Sequence, residues 1–183
     1  MSESGYRFEY RYILYDDVTR RICVLRDSNT CWTFPVISCM QKKPEPDIKL
    51  ARDAFLRSLY AGTDAVNLES WYYDVVTIQT SGKTTVYVCI CKDFSAIKLG
   101  DSFLWMPQQV ARQVIERFTP IDAVGFEAYY ADYDRECSME STTIKCLLDG
   151  VADSIDRFKA FGMQEEAVLA ATYAKNLDVG GAV

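Results

Sequence analysis

From Tyr6 onward the chain alternates: Phe8, Tyr10, Tyr12 and Leu14 stand against Arg7, Glu9 and Arg11, the period of two expected of a strand with one buried face. The polar run DDVTRR predicts a turn and ICVLR a second strand, together a hairpin. CWTFP predicts a short aromatic strand stopped by Pro35, followed by a loop. From Pro46 the spacing changes, with Ile48, Ala51, Phe55 and Leu59 three and four residues apart, predicting a helix with proline in its first turn and Gly62 as its stop. WYYDVVTIQT and KTTVYVCICK, rich in β-branched and aromatic residues, predict a strand pair about a Ser81-Gly82 turn. SFLWMP predicts one more strand, and a short helix is expected from Pro107 through Val110, Val114 and Phe118. In the last third, Ile144, Leu147, Leu148, Val151, Ile155 and Phe158 fall on one helical stripe. A further helix is expected from Gln164 to Lys175, with VGGAV loose at the end.

Composition narrows this picture. A chain of 183 residues, 49% hydrophobic, can bury a full core, so one domain with a helical appendage is expected. No apolar stretch approaches the roughly 20 residues of a membrane-spanning helix, and MSESGYRFEYRY does not read as a secretory leader. A soluble protein without membrane partners follows as an expectation. The seven cysteines, an odd number scattered through apolar segments without a C-x-x-C pair, suggest reduced thiols in an intracellular, reducing compartment: cytoplasm, nucleus or an organelle matrix. Cys89 and Cys91 share a strand face, where core packing explains them better than metal binding. The absence of histidine removes histidine-ligated zinc and every Ser-His or Cys-His relay. Charge is uneven, with 15 Lys and Arg against 14 Asp and Glu in residues 1–119 but 5 against 12 in residues 120–183. Non-specific DNA binding by counterion release finds no clustered positive surface in such a chain.

The order of these elements, with Trp-x-Phe-Pro at Trp32–Pro35 and AFLRSLYAGTDAV further on, resembles the Nudix hydrolase family over roughly residues 8–118. In that family the tryptophan strand leads through two glycines into a loop and helix carrying G-x5-E-x7-R-E-U-x-E-E-x-G-U, with U a bulky aliphatic residue. Here the two glycines are Val36 and Ile37. With Arg57 as the motif arginine, the acids become Ser58, Ala61 and Gly62; with Arg52, Asp53 keeps one acid position, Glu45 lies near the first, and the last two become Leu56 and Arg57. Neither register keeps the pair of glutamates that would hold divalent cations against a pyrophosphate. The resemblance therefore implies an α+β, Nudix-like α/β/α sandwich of mixed sheet over residues 6–119. An acidic helical segment, residues 120–183, would pack on it or extend it. It implies a scaffold that has lost the hydrolase chemistry, with no catalytic residues, metal or cofactor.

Two kinds of binding fit such a scaffold. A nucleotide, an ADP-ribose-like dinucleotide or a short RNA would stack on Trp32 and Phe34 and meet Arg26, Lys42, Lys43, Arg52 and Arg57. A protein partner or a second copy would meet the stripe of Ile144, Leu148, Val151, Ile155 and Phe158, unless that stripe closes on the body instead. The tyrosine-rich WYYD and AYYADYDRE also suit an interface. The competing reading is an active Mg-dependent pyrophosphohydrolase using displaced acids, Glu45, Asp47 and Asp53, with Glu69 nearby.

Overall fold

The computed structural model describes residues 5–47, 72–80, 83–92, 94, 102–133 and 143–180. Its spine is β1 (Tyr6–Asp16), and both long edges of this strand are used. On one side β6 (Lys83–Lys92) runs parallel to it, with β5 (Tyr72–Thr80) antiparallel beyond and a register shift between Asp74 and Val76. On the other side β1 forks. Residues 6–11 pair with β4 (Val36–Gln41), whereas Tyr15 and Asp16 pair with β2 (Arg21–Arg26), both antiparallel. The two-residue β3 (Trp32–Thr33) and β7 (Phe103–Pro107) flank β2. Pro35 sits at the fork, ending β3 and passing the chain to β4; its carbonyl accepts from Tyr12 N at 2.9 Å.

Local chemistry explains the turns. The Asp16 carboxylate accepts from Val18 N and from the Thr19 hydroxyl, an Asx turn that lets Arg20 take a positive φ of 55° before β2 begins. Asp27 does the same for the next turn, accepting from Asn29 N and Cys31 N.

Helices α1 (Gln108–Gln113), α2 (Pro120–Tyr133), α3 (Ile144–Ala160) and α4 (Gln164–Gly180) follow, with a 3-10 turn at Ile115–Arg117. Thr143 caps α3 by accepting from Cys146 N. A Schellman motif ends it, Met163 N donating to Phe158 O and Gly162 N to Lys159 O, with Gly162 at φ 72°.

Apolar side chains divide between two faces of the sheet. One cluster holds Ile13, Tyr15, Ile22, Val24, Trp32, Phe34, Tyr87 and Leu104 together with helical Val110, Phe126, Val151, Phe158 and Ala170. The other holds Phe8, Tyr10, Tyr12, Leu14, Val86, Val88, Ile90 and Phe94. The acidic C-terminal helices thus share a continuous core with the sheet.

Several expectations change. The segment after Pro35 is a strand, not a loop, because Ile37 and Cys39 alternate inward against the second cluster. The helix α2 went unforeseen, although Thr119-Pro120-Ile121-Asp122 is a helix start of Thr-x-x-acid type with proline at the first position. The helix after Pro107 stops at Gln113, short of Phe118, and α4 runs past Lys175 to Gly180. The helix expected from Pro46 and the Ser81-Gly82 turn fall outside the described residues. No helix among the described residues is long and apolar enough to cross a membrane.

Candidate functional site

The segment from β3 to Asp47 carries most of the expected ligand-binding residues, and the structure separates them. Trp32 and Phe34 are fully buried, which corrects their assignment as stacking platforms. Trp32 meets Phe158 edge-on at a centroid distance of 6.0 Å, and Phe34 packs among Tyr87, Phe118 and Phe126. A ring sealed on both faces by its own core presents no face to a base. Arg26 is half-buried and donates to Phe161 O at 3.1 Å, so it ties β2 to the turn between α3 and α4. Lys42 and Lys43 are exposed beyond the end of β4. Arg52 and Arg57 lie outside the described residues, as do Asp53 and Glu69.

Of the two readings of the stripe at 144–158, the structure has the one in which it closes on the body. Val151 and Phe158 are buried in the main core, Ile155 packs against it, and Ile144 and Leu148 are half-buried. Polar contacts reinforce the docking of α3. Arg21 donates to Gly150 O at 2.8 Å and pairs with Asp153 at 3.0 Å, and Arg157 donates to Phe103 O at 2.7 Å. The stripe faces the body because α3 closes the sheet's apolar face, burying area that would otherwise meet water.

Of the displaced acids, Glu45 and Asp47 are exposed, and the backbone that carries them is tethered. The Gln41 amide donates to Glu45 O at 3.1 Å, and Asp47 N donates to the Tyr10 hydroxyl at 2.8 Å. That hydroxyl in turn donates to the Gln41 side chain, so Tyr10, at the centre of the sheet, anchors the turn after β4. Burial raises the pKa of the Tyr10 hydroxyl and, with the Asp47 charge, that of the Cys39 thiol. Among the described residues no group of three or more His, Cys, Asp or Glu side chains could hold a metal ion.

The largest polar constellation lies on the opposite face and was not foreseen. Asp122, fully buried in the first turn of α2, accepts from Arg11 Nη1 at 2.9 Å, Thr33 Oγ1 at 2.6 Å, Phe34 N at 3.1 Å, Thr119 Oγ1 at 2.9 Å and the Tyr87 hydroxyl at 2.7 Å. Arg11 also pairs with Glu9 at 2.7 Å, and Lys83 reaches Glu9 at 2.9 Å. Burial opposes ionisation of Glu9, but the hydrogen bond from Lys83 and the Arg11 charge outweigh it and leave its pKa below the ordinary value. For Arg11, likewise, burial is outweighed by Asp122 and Glu9, and its pKa rises. Burial and the neighbouring Asp122 charge push the Tyr87 hydroxyl up. These contacts run between residues of the chain itself, so the cluster fastens β1, β3 and α2 together.

A crevice of about 280 Å³ opens between α1 and α2, lined by Arg112, Ile115, Phe126, Glu127 and Tyr130. Arg112 lies 3.9 Å from the Tyr130 ring centroid and donates to its hydroxyl at 2.7 Å.

No protein-family model matches the sequence, and no curated protein matches it. Solved structures do resemble it. A chain in the crystal structure of the complex between the C-terminal domain of mouse MUTYH and human PCNA superposes with a TM-score of 0.51 at 10% identity, over 70% of this chain and 90% of that one. C. elegans Ap4A hydrolase gives 0.46 at 12% identity over 69% and 97%. The NUDIX domain of Shewanella oneidensis NrtR, complexed with ADP ribose, gives 0.47 at 12% identity over 70% and 88%. At such identities the likeness is one of fold.

Proposed function

We propose that this chain, whose α+β fold is Nudix-like, is a binding and scaffold protein without pyrophosphohydrolase activity, working by protein contact as a subunit of a larger assembly. The observation that carries the reading is the sequence of the helix expected from Pro46: neither register sets two carboxylates where the hydrolase motif needs them. Without that pair a divalent ion has too few oxygen ligands to neutralise a diphosphate and acidify an attacking water. The segment before it agrees. Val36 and Ile37, in place of the motif glycines, stand in regular antiparallel register opposite Arg11 and Tyr10, and neither takes a positive φ. Glu45 and Asp47 flank a turn that Tyr10 and Gln41 already hold by hydrogen bonds.

A chain of similar fold stands in the complex between the MUTYH C-terminal domain and PCNA, which supports protein contact as a use for this scaffold. We place it in a reducing intracellular setting on the odd count of seven cysteines without a C-x-x-C pair.

The test is a Mg²⁺ and Mn²⁺ hydrolysis assay over a panel of nucleoside-diphosphate-linked substrates, with Glu45→Gln and Asp53→Asn alongside. No turnover is expected. Turnover that either substitution abolishes would overturn the reading in favour of the displaced-acid hydrolase. A thermal-shift screen with nucleotides, ADP-ribose and short RNA separates a pure scaffold, which shows no rise, from a ligand-binding module, because a ligand stabilises only the state it binds.

A further inference from the structure

Among the described residues β4 pairs with β1 alone, so its other edge carries no strand. Pro35 and Pro44 bracket this edge strand, and its burial alternates. Ile37 and Cys39 pack inward, while Val36 (43% exposed), Ser38 and Met40 (63% exposed) present an apolar–hydroxyl–apolar row to solvent. Two of the five exposed large apolar side chains among the described residues therefore stand four residues apart on one strand, whose outer edge pairs with no described strand. Such an edge invites pairing with another chain unless something guards it.

From this pattern we infer that β4 is a self-association edge, pairing antiparallel with β4 of a second copy about a twofold axis at Ser38. The row is symmetric about its own centre, as an isologous contact requires, since each copy must supply both halves of it. In the register centred on Ser38, Val36 faces Met40 of the second copy, Met40 faces Val36, and Ser38 faces Ser38. Each is a favourable cross-strand pair. Sliding the strands by two residues in one direction sets Val36 against charged Lys42, and in the other sets Met40 against Phe34, which is buried in its own core. Parallel pairing would bring the exposed Lys42 and Lys43 of both copies to the same end, whereas the antiparallel arrangement keeps them at opposite ends. The two lysines thus select the orientation, and the period of two selects the register. The result is one sheet continuous through both copies, β1 and β4 of one beside β4 and β1 of the other.

Light scattering across a dilution series tests this, with circular dichroism to verify folding. The wild-type chain is expected to be a dimer that dissociates on dilution. Val36→Lys with Met40→Lys sets lysine against lysine at both outer pairs and gives a monomer. Val36→Lys with Met40→Glu sets lysine against glutamate and restores the dimer, although each copy alone carries equally disruptive changes. In addition, Ser38→Cys, at the twofold, gives a disulfide-linked dimer under mild oxidation beyond the wild-type background. A wild-type monomer at every concentration overturns the inference, as does a dimer indifferent to the double lysine, a charge swap that fails to restore association, or a Ser38→Cys chain that does not cross-link. Hydrolytic turnover would sink the scaffold reading and leave this contact standing; monomeric behaviour would do the reverse.

Discussion

Replacing Asp122 by asparagine changes one atom and should cost the protein a large part of its stability. Asp122 is fully buried, and its Oδ2 accepts from four donors: Arg11, Thr33, Phe34 N and Thr119. An asparagine with its oxygen in the same place keeps all four bonds, and the Tyr87 hydroxyl keeps its other acceptor, Ile121 O at 2.7 Å. What disappears is the negative charge opposite Arg11, whose side chain is only 13% exposed. Breaking a buried ion pair by neutralising one partner costs about 3–5 kcal/mol, because the remaining charge stays desolvated. Arg11 retains Glu9 at 2.7 Å, which puts Asp122→Asn at the lower end, about 3 kcal/mol. Asp122→Ala also strands the buried Phe34 N–H, whereas the Thr33 hydroxyl keeps Phe34 O at 3.4 Å and Thr119 is only partly buried. One unsatisfied buried donor adds about 1–3 kcal/mol to the loss seen with asparagine. By contrast, Glu165 is 61% exposed where it pairs with Arg117, and Glu165→Gln should cost no more than about 1 kcal/mol. Urea unfolding followed by far-ultraviolet circular dichroism measures all three. A loss below about 1 kcal/mol for Asp122→Asn would refute the claim that this carboxylate compensates a buried guanidinium. Arg11→Met combined with Asp122→Asn should lose less than the sum of the two single changes, since removing both charges leaves neither uncompensated.

Two further outcomes follow from the same packing. A Cβ on Gly125 would stand 2.4 Å from the Tyr87 ring, so Gly125→Ala gains about 1 kcal/mol of helix propensity but loses roughly 3 kcal/mol to overpacking, a net destabilisation near 2 kcal/mol in urea unfolding; a stabilised variant would show that α2 stands further from the sheet. Glu9 has a folded pKa below its unfolded value, so the stability it contributes is fully present above the unfolded value of about 4.3 and is lost as pH falls through the lower folded one. Glu9→Gln should flatten the fall in urea midpoint between neutral and strongly acidic pH, and an unchanged slope would remove the Lys83 and Arg11 contacts as its cause.

Most strands were legible because their signal is local. The alternation in Tyr6–Leu14, the β-branched run at Lys83–Lys92 and the helical stripe at 144–158 each show in a short window. The strand β4 was hidden because Val-Ile-Ser-Cys-Met reads as a nearly continuous apolar run, and only pairing with β1 decides that Ile37 and Cys39 turn inward while Val36 and Met40 face solvent. Helix α2 carried a readable start signal at Thr119–Asp122, outweighed by the tyrosines that follow. Trp32 and Phe34 were plausible ligand rings until helices more than eighty residues later closed over them.

Glu9 and Arg11 mark the boundary between the two kinds of information. Alternation placed both on the polar face of β1, correctly, and implied that this face meets water. Tertiary structure covers it instead: α2 brings Asp122 against Arg11 across 111 residues of chain, and charges that a local pattern reads as solvated become buried partners. Periodicity reports which side chains share a face, because that depends on backbone geometry alone. What covers the face depends on contacts between segments distant in sequence, and those contacts decide that the aromatic rings and the C-terminal stripe belong to the core, while among the described residues β4 pairs with β1 alone.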